Sequence, residues 1–341
     1  MVTHGPVPTA SAAQHLAALR WLLLSPALVL APQASTVAPQ ASTVAPQADG
    51  QLAVFSEAEQ RSIGQWLEAL QADSSQLTQW MQSRPEARIG RYAERLLEFY
   101  LIHGPTHRLQ AAHVPLRSAL NGLMVTHGEL DFLLTIEPGP QQQQSLTLQE
   151  PQYLHWELAV KFFLCTATGD TATPADFIGP NGVETLAHKW HKLFANQLTR
   201  AHSHTLPAPY NAHTWQPQAY TRGWMFYRWG HSVPRCVALH PEHGQGWWVN
   251  AADFATLPQA EYAFLPRLHW MAILADLAQL GSQAVVLQRD AMAVYLQTER
   301  ASSGRTHDAL MVAQLDATLA GPPGGQARSE VRRFFIRPPA A

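Results

Sequence analysis

Two carboxylates interrupt apolar, strand-like stretches of this 341-residue chain. Asp131 lies in Gly128-Glu129-Leu130-Asp131-Phe132-Leu133-Leu134. Glu157 lies in His155-Trp156-Glu157-Leu158-Ala159-Val160-Lys161-Phe162. Successive side chains of a strand point to opposite faces of its sheet. In the second stretch Trp156, Leu158, Val160 and Phe162 then form one apolar face, while Glu157, Ala159 and Lys161 line the other. Neighbouring strands lie about 4.8 Å apart. If the two strands pair, Asp131 and Glu157 come together, and they repel unless they share a proton or a cation. A hard divalent ion such as Mg²⁺, with Mn²⁺ as a substitute, is the usual resolution. The competing reading is an ordinary acid–lysine salt bridge on a polar sheet face. Lys161 weighs for chemistry. Of 23 basic residues only Lys161, Lys189 and Lys192 are lysine, and a compact ammonium can shift its pKa where a guanidinium cannot.

The elements that must position these groups follow from periodicity. Ile89, Tyr92, Ala93, Leu96 and Tyr100 share one face of a helix over 88–101, which Gly104-Pro105 ends. Three strands follow, at 109–116, 122–136 and 153–164, with a run of four glutamines looping between the last two. A turn at 176–180 leads to a long helix over 183–200 and an aromatic-rich strand over 222–229. The order is helix, three strands, helix, strand, an α/β arrangement with a mixed sheet. Upstream, 56–82 is helical in pattern with Ser56 as N-cap. Downstream, 244–249 reads as a strand, 267–280 as an apolar helix and 331–336 as a last strand.

Composition bounds the rest. A formal net charge of −2 gives no global pull toward polyanions, so any such site must be local. The two cysteines, Cys165 and Cys236, read as free thiols of a cytoplasmic protein. Residues 31–50 are a Pro/Ala/Ser/Thr tandem repeat expected to be a disordered linker. The apolar run Trp21 to Ala31 is too short to span a membrane and reads as a buried first helix, with a signal segment as the alternative. The expected organisation is an N-terminal helix (1–30), the linker (31–50), a helical region (51–84), an α/β core (85–235) and a C-terminal α+β extension (236–341).

From Thr185 to Pro241 there is no Asp or Glu, but six basic residues, including Lys189, Lys192, Arg222 and Arg228, are interleaved with aromatics. That pattern suits phosphate contacts and base stacking of DNA or RNA. The competing reading makes the aromatics core and the bases solvated. His188, His191, His202 and His204 are a weak zinc candidate, since no cysteine joins them. No dinucleotide fingerprint, phosphate-cradling Gly-rich loop or nucleophile elbow occurs, which disfavours dehydrogenase, NTPase, kinase and α/β-hydrolase readings.

The segments RWLLLSPAL, GRYAERLLEFYL, GELDFLL, HWELAVKFFL and FIGPNG, the last followed by a helix with Lys189 and Gln197, resemble the bacterial family of domain of unknown function 1853. That resemblance covers most of the chain outside the repeat. It implies a cytoplasmic bacterial protein, places Trp21 to Ala31 within the fold and brings no activity with it. More distantly, the core resembles the PD-(D/E)XK, or restriction-endonuclease-like, nucleases. That likeness implies a Mg²⁺-dependent nuclease in which Asp131, Glu157 and, from the first helix, Glu94 hold metal while Lys161 orients water or steadies developing charge. The spacing departs from the motif: the lysine comes at Glu-x-x-x-Lys, and Ala159 stands where the motif has its lysine or acid. The alternative is therefore a catalytically degenerate nuclease fold that binds nucleic acid or a protein partner.

Overall fold

A computed structural model describes residues 11–31, 51–120, 123–136, 151–303, 309–316 and 328–338. The repeat, the glutamine run and the Gly- and Pro-rich residues 320–327 lie outside the described residues.

Helix α1 (Ala12–Leu24) is capped by the Ser11 side chain and buries Ala18, Leu19, Leu22 and Leu23. The apolar run beginning at Trp21 is thus part of the fold. It leaves the helix at Ser25-Pro26, because the residue before a proline is pushed out of the α region, and Val29 bridges to Leu239. After the short β1 (Gln51–Leu52), the helical pattern of 56–82 gives two helices, α2 (Glu57–Ala72) and α3 (Ser75–Ser83). The break falls at Asp73, whose carboxylate accepts the Ser75 N–H at 3.0 Å. Ser56 caps α2 in a full capping box with Glu59. Ser56→Ala is expected to lower stability by about 1 kcal/mol, read as a shift of the denaturation midpoint. Helix α4 (Ile89–His103) ends at Gly104, as its sequence predicts.

Next come β2 (His107–Leu120), β3 (Leu123–Ile136), β4 (Gln152–Cys165) and β5 (Phe177–Ile178). The expected long helix is interrupted: α5 (Leu186–His191) runs into a π-helical turn (Lys192–Gln197) and then α6 (Arg200–Ser203). Strand β6 (Gln216–Arg228) precedes β7 (Gly244–Asn250), β8 (Glu261–Leu265), β9 (Val286–Gln288), α7 (Arg289–Ser303), β10 (Leu310–Leu315) and β11 (Glu330–Arg337). Among the described residues all the strands belong to one 11-stranded mixed sheet, ordered β2-β3-β4-β6-β7-β11-β10-β8-β9, with β1 on β6 and β5 on β4. Strands β2, β3 and β4 run antiparallel to one another, whereas β4–β6 and β6–β7 are parallel. The boundary expected at 235–236 falls in the connection between two neighbouring strands of this sheet.

Alternation along β4 decides which side each layer occupies. Leu154, Trp156, Val160, Phe162 and Leu164 face the main core with α1, α2 and α4. Tyr153 packs with Leu133 and Trp215, Ala159 with Leu193 and Leu198, and Phe163 with Leu186, all on the other side. The sheet is therefore clad on both faces, and Glu157 belongs to the face covered by α5 and the π turn.

The helix expected over 267–280 is not formed. That stretch makes only short 3-10 turns, at Arg267–His269 and Leu277–Gln283. Its carbonyls are committed sideways: Trp270 and Ala272 accept from Arg333, both at 2.7 Å, and Met271 accepts from Trp224 at 2.7 Å. These contacts satisfy carbonyls that a helix would pair internally. Among the described residues no helix is long and apolar enough to cross a membrane.

Candidate functional site

In the β3–β4 ladder Phe132 faces Trp156 and Leu133 faces His155. One further step along this register sets Asp131 across from Glu157. The ladder ends at that step. Asp131 Oδ2 accepts the Leu158 N–H at 2.9 Å, so a side chain takes over where a backbone partner is missing. Burial, and then the facing Glu157 charge, pushes the Asp131 carboxyl well above the usual carboxylate range; Glu94 and Glu129 push the same way, and the Leu158 N–H opposes them.

Glu157 is fully buried. Its Oε1 lies 2.9 Å from His155 Nε2, two residues away on the same strand face. Its Oε2 accepts from Gln197 Nε2 at 2.6 Å. The other ring nitrogen of His155, Nδ1, is buried and has no hydrogen-bond partner among the described residues. Gln197 passes the connection on, its Oε1 accepting from Lys189 Nζ at 3.3 Å. Lys189 is half-buried, and desolvation, then the neighbouring Lys161, lowers its pKa; Glu184 and Asp131 act to raise it. Lys161 itself pairs with Glu184 at 2.7 Å, each side chain about a third exposed (30% and 33%).

Two small residues set this geometry. Ala159 is buried against Leu193, Leu198 and Ala219, so the π turn lies close on the sheet there. A lysine at 159 would have to displace that turn. A small cavity opens instead beside Ala159, bordered by the stems of Lys161 and Lys189. Gly223, across from Lys161 in the β4–β6 register, is the other. A Cβ there would run into the Lys161 carbonyl oxygen, so glycine lets β6 approach and fixes where the Lys161 side chain starts.

The remaining sequence candidates are placed unevenly. Glu94, on α4, bonds to Arg91 at 2.6 Å; burial raises its carboxyl and Arg91 counters this. Its charge reaches Asp131, but among the described residues no three His, Cys, Asp or Glu side chains form a group that could hold a metal. That covers both the expected trio Asp131, Glu157 and Glu94 and the histidines 188, 191, 202 and 204. Lys192 is exposed at the start of the π turn, next to Lys189. Arg222 is buried on the opposite face, donating to the Leu22 carbonyl at 2.9 Å and stacking on Tyr220. Arg228 is exposed at the far end of β6, over Trp248. Sequence reasoning assigned no role to His155 or Glu184 and met Gln197 only as part of a family motif. For His155 the signal was available: its position two residues before Glu157 puts both on one strand face.

The model of one protein family, Domain of unknown function (DUF1853), matches residues 17–336, and the chain belongs to that family. No curated protein and no solved structure gives a significant match.

Proposed function

We propose that this member of the DUF1853 family is a nuclease-like, Mg²⁺-dependent phosphodiesterase acting on nucleic acid, centred on Asp131 and Glu157. The observation that carries the reading is their juxtaposition: two carboxylates opposed across β3 and β4 on the lysine-bearing face of the sheet. The element order supports it, with α4, β2, β3, β4, the α5–α6 segment and β6 following the sequence expected of a restriction-endonuclease-like core. A cytoplasmic location belongs to the same proposal, supported by two free cysteines.

The donor chemistry fits a hard cation. Both acids offer oxygen only, and Mg²⁺ is commonly held by one or two carboxylates with water completing its shell. Asp131 and Glu157 would hold the ion, and a bound metal would polarise the phosphate and supply an activated water. The protein's own residues do the rest. Gln197 and His155 hold the Glu157 carboxylate in one orientation. The Leu158 N–H does the same for Asp131. Lys161 and Lys189 bring two ammonium groups to that face, where they would meet phosphate oxygens and oppose developing negative charge. Lys192 adds a positive charge at the exposed rim.

One observation favours the second reading, a degenerate fold that binds nucleic acid or a protein without cutting. Both Glu157 oxygens already accept hydrogen bonds in a fully buried position, and Lys161 is engaged by Glu184. Cleavage of labelled single- and double-stranded DNA and RNA, with Mg²⁺ or Mn²⁺, separates the two. Metal-dependent cleavage by the native chain, falling to background in Asp131→Asn, is the expected result. Salt-sensitive binding without cleavage by either protein would decide for the degenerate module.

A further inference from the structure

On the face of β4 that carries Glu157, a cavity of about 300 Å³ opens toward the start of the strand. Gln110, Thr135, Tyr153, Tyr210, His213 and Trp215 line it. Tyr153, His155 and Glu157 alternate along that face, so the cleft begins about 13 Å from the carboxylate pair. Its aromatic wall is built in advance. His213 stacks on Tyr153 with ring centroids 3.9 Å apart and planes 12° from parallel, and Trp215 meets Tyr153 edge-on at 5.3 Å. Trp215 is pinned by its Nε1–H, which donates to the Tyr210 carbonyl at 2.8 Å. Beside Tyr153 in the β3–β4 register, Thr135 Oγ1 accepts from Gln110 Nε2 at 3.1 Å, which adds an amide and a hydroxyl to the lining.

We infer that this cleft is a stacking subsite for an unpaired nucleobase of the strand whose phosphate reaches Asp131 and Glu157; the inference rests on the nucleic-acid reading above. Three features select that occupant. Flat rings with an amide and hydroxyl beside them match a planar heterocycle with a hydrogen-bonding edge. Among the described residues no carboxylate lines the cleft, so none of them repels the backbone of a polyanion or calls for a cationic guest. Tyr210, His213 and Trp215 also come from the 185–241 stretch that lacks every Asp and Glu and that supplies Lys189 and Lys192.

The test is fluorescence anisotropy on the full-length chain without divalent ions. It compares a labelled single-stranded oligodeoxynucleotide with the same strand made abasic at its centre. Stacking predicts that the native chain binds the intact strand about 5- to 150-fold more tightly. It also predicts that a Tyr210→Ala, His213→Ala double variant, with unchanged circular dichroism, loses that preference but keeps its affinity for the abasic strand. Equal binding of both strands by the native chain overturns the subsite and leaves the nucleic-acid reading standing. A preference that survives both in the double variant and in Tyr153→Ala places stacking elsewhere and also overturns it. Binding of neither strand at low salt overturns the subsite and the nucleic-acid reading together.

Discussion

Glu157→Ala is expected to destabilise the chain by about 3–5 kcal/mol, from the buried polar partners it strands and the cavity it leaves. The carboxylate is fully buried and accepts from His155 and Gln197. Its removal leaves a His155 ring whose Nδ1 already lacks a partner without one on Nε2 as well. It also strips Gln197 Nε2, in the π turn that closes on β4, of its acceptor. Desolvation of those groups is then uncompensated, and a cavity is added. Glu157→Gln separates the two contributions. The amide oxygen can still accept from Gln197. Its NH₂, however, faces His155 Nε2 and can bond there only where that nitrogen accepts. A loss of about 1–3 kcal/mol, one buried unsatisfied donor, is expected for the glutamine. Denaturant midpoints followed by tryptophan fluorescence measure both. Equal, small losses would mean that the Glu157 contacts contribute little.

Much of this arrangement was legible before any coordinates. The alternation of Trp156, Leu158, Val160 and Phe162 against Glu157, Ala159 and Lys161 predicted the two faces of β4, because a strand with a period of two leaves little freedom once one face is apolar. Helix α4 was readable from its stripe and its Gly104 stop. What escaped were features set by tertiary contacts. The π turn at Lys192–Gln197 has no sequence mark of its own; it is where a helix must deliver Gln197 to Glu157 while Leu193 and Leu198 seat on Ala159 and Ala219. The 267–280 stretch has a helix-like composition, yet its carbonyls are taken by Arg333 and Trp224 from distant strands. Arg222 lies in a basic, aromatic stretch that suits phosphate binding, but an even position on β6 turns it under α1. The same parity argument, applied to β6 as it was to β4, would have separated Arg222 from the lysines.

Asp131→Asn, which abolishes cleavage in the proposed reaction, is expected to stabilise the metal-free chain at pH 7 by on the order of 1–3 kcal/mol, the scale for a poorly compensated buried polar group. The asparagine oxygen can still accept the Leu158 N–H that Asp131 now takes. What disappears is an ionisable group whose charged form is disfavoured by burial and by Glu157, the two causes that push the Asp131 carboxyl up. The sign follows from linkage. Because this carboxyl titrates higher folded than unfolded, the native state keeps a proton that the unfolded state has released, so its stabilising contribution is full below the ordinary carboxylate range. That contribution is lost as pH rises through the folded pKa. The native chain should therefore lose stability with rising pH across this window, and Asp131→Asn should lose less. Adding Mg²⁺ should reverse the ranking, since a ligand that binds only the folded state stabilises it by mass action, about 2.7 kcal/mol at a hundred times its dissociation constant, and the variant lacks one of its two anchors. Denaturation midpoints across pH, with and without Mg²⁺, measure both effects. Identical pH slopes would remove the strain ascribed to Asp131. A pH difference without any Mg²⁺ shift would leave the strained pair in place and show that a proton, not a cation, resolves it.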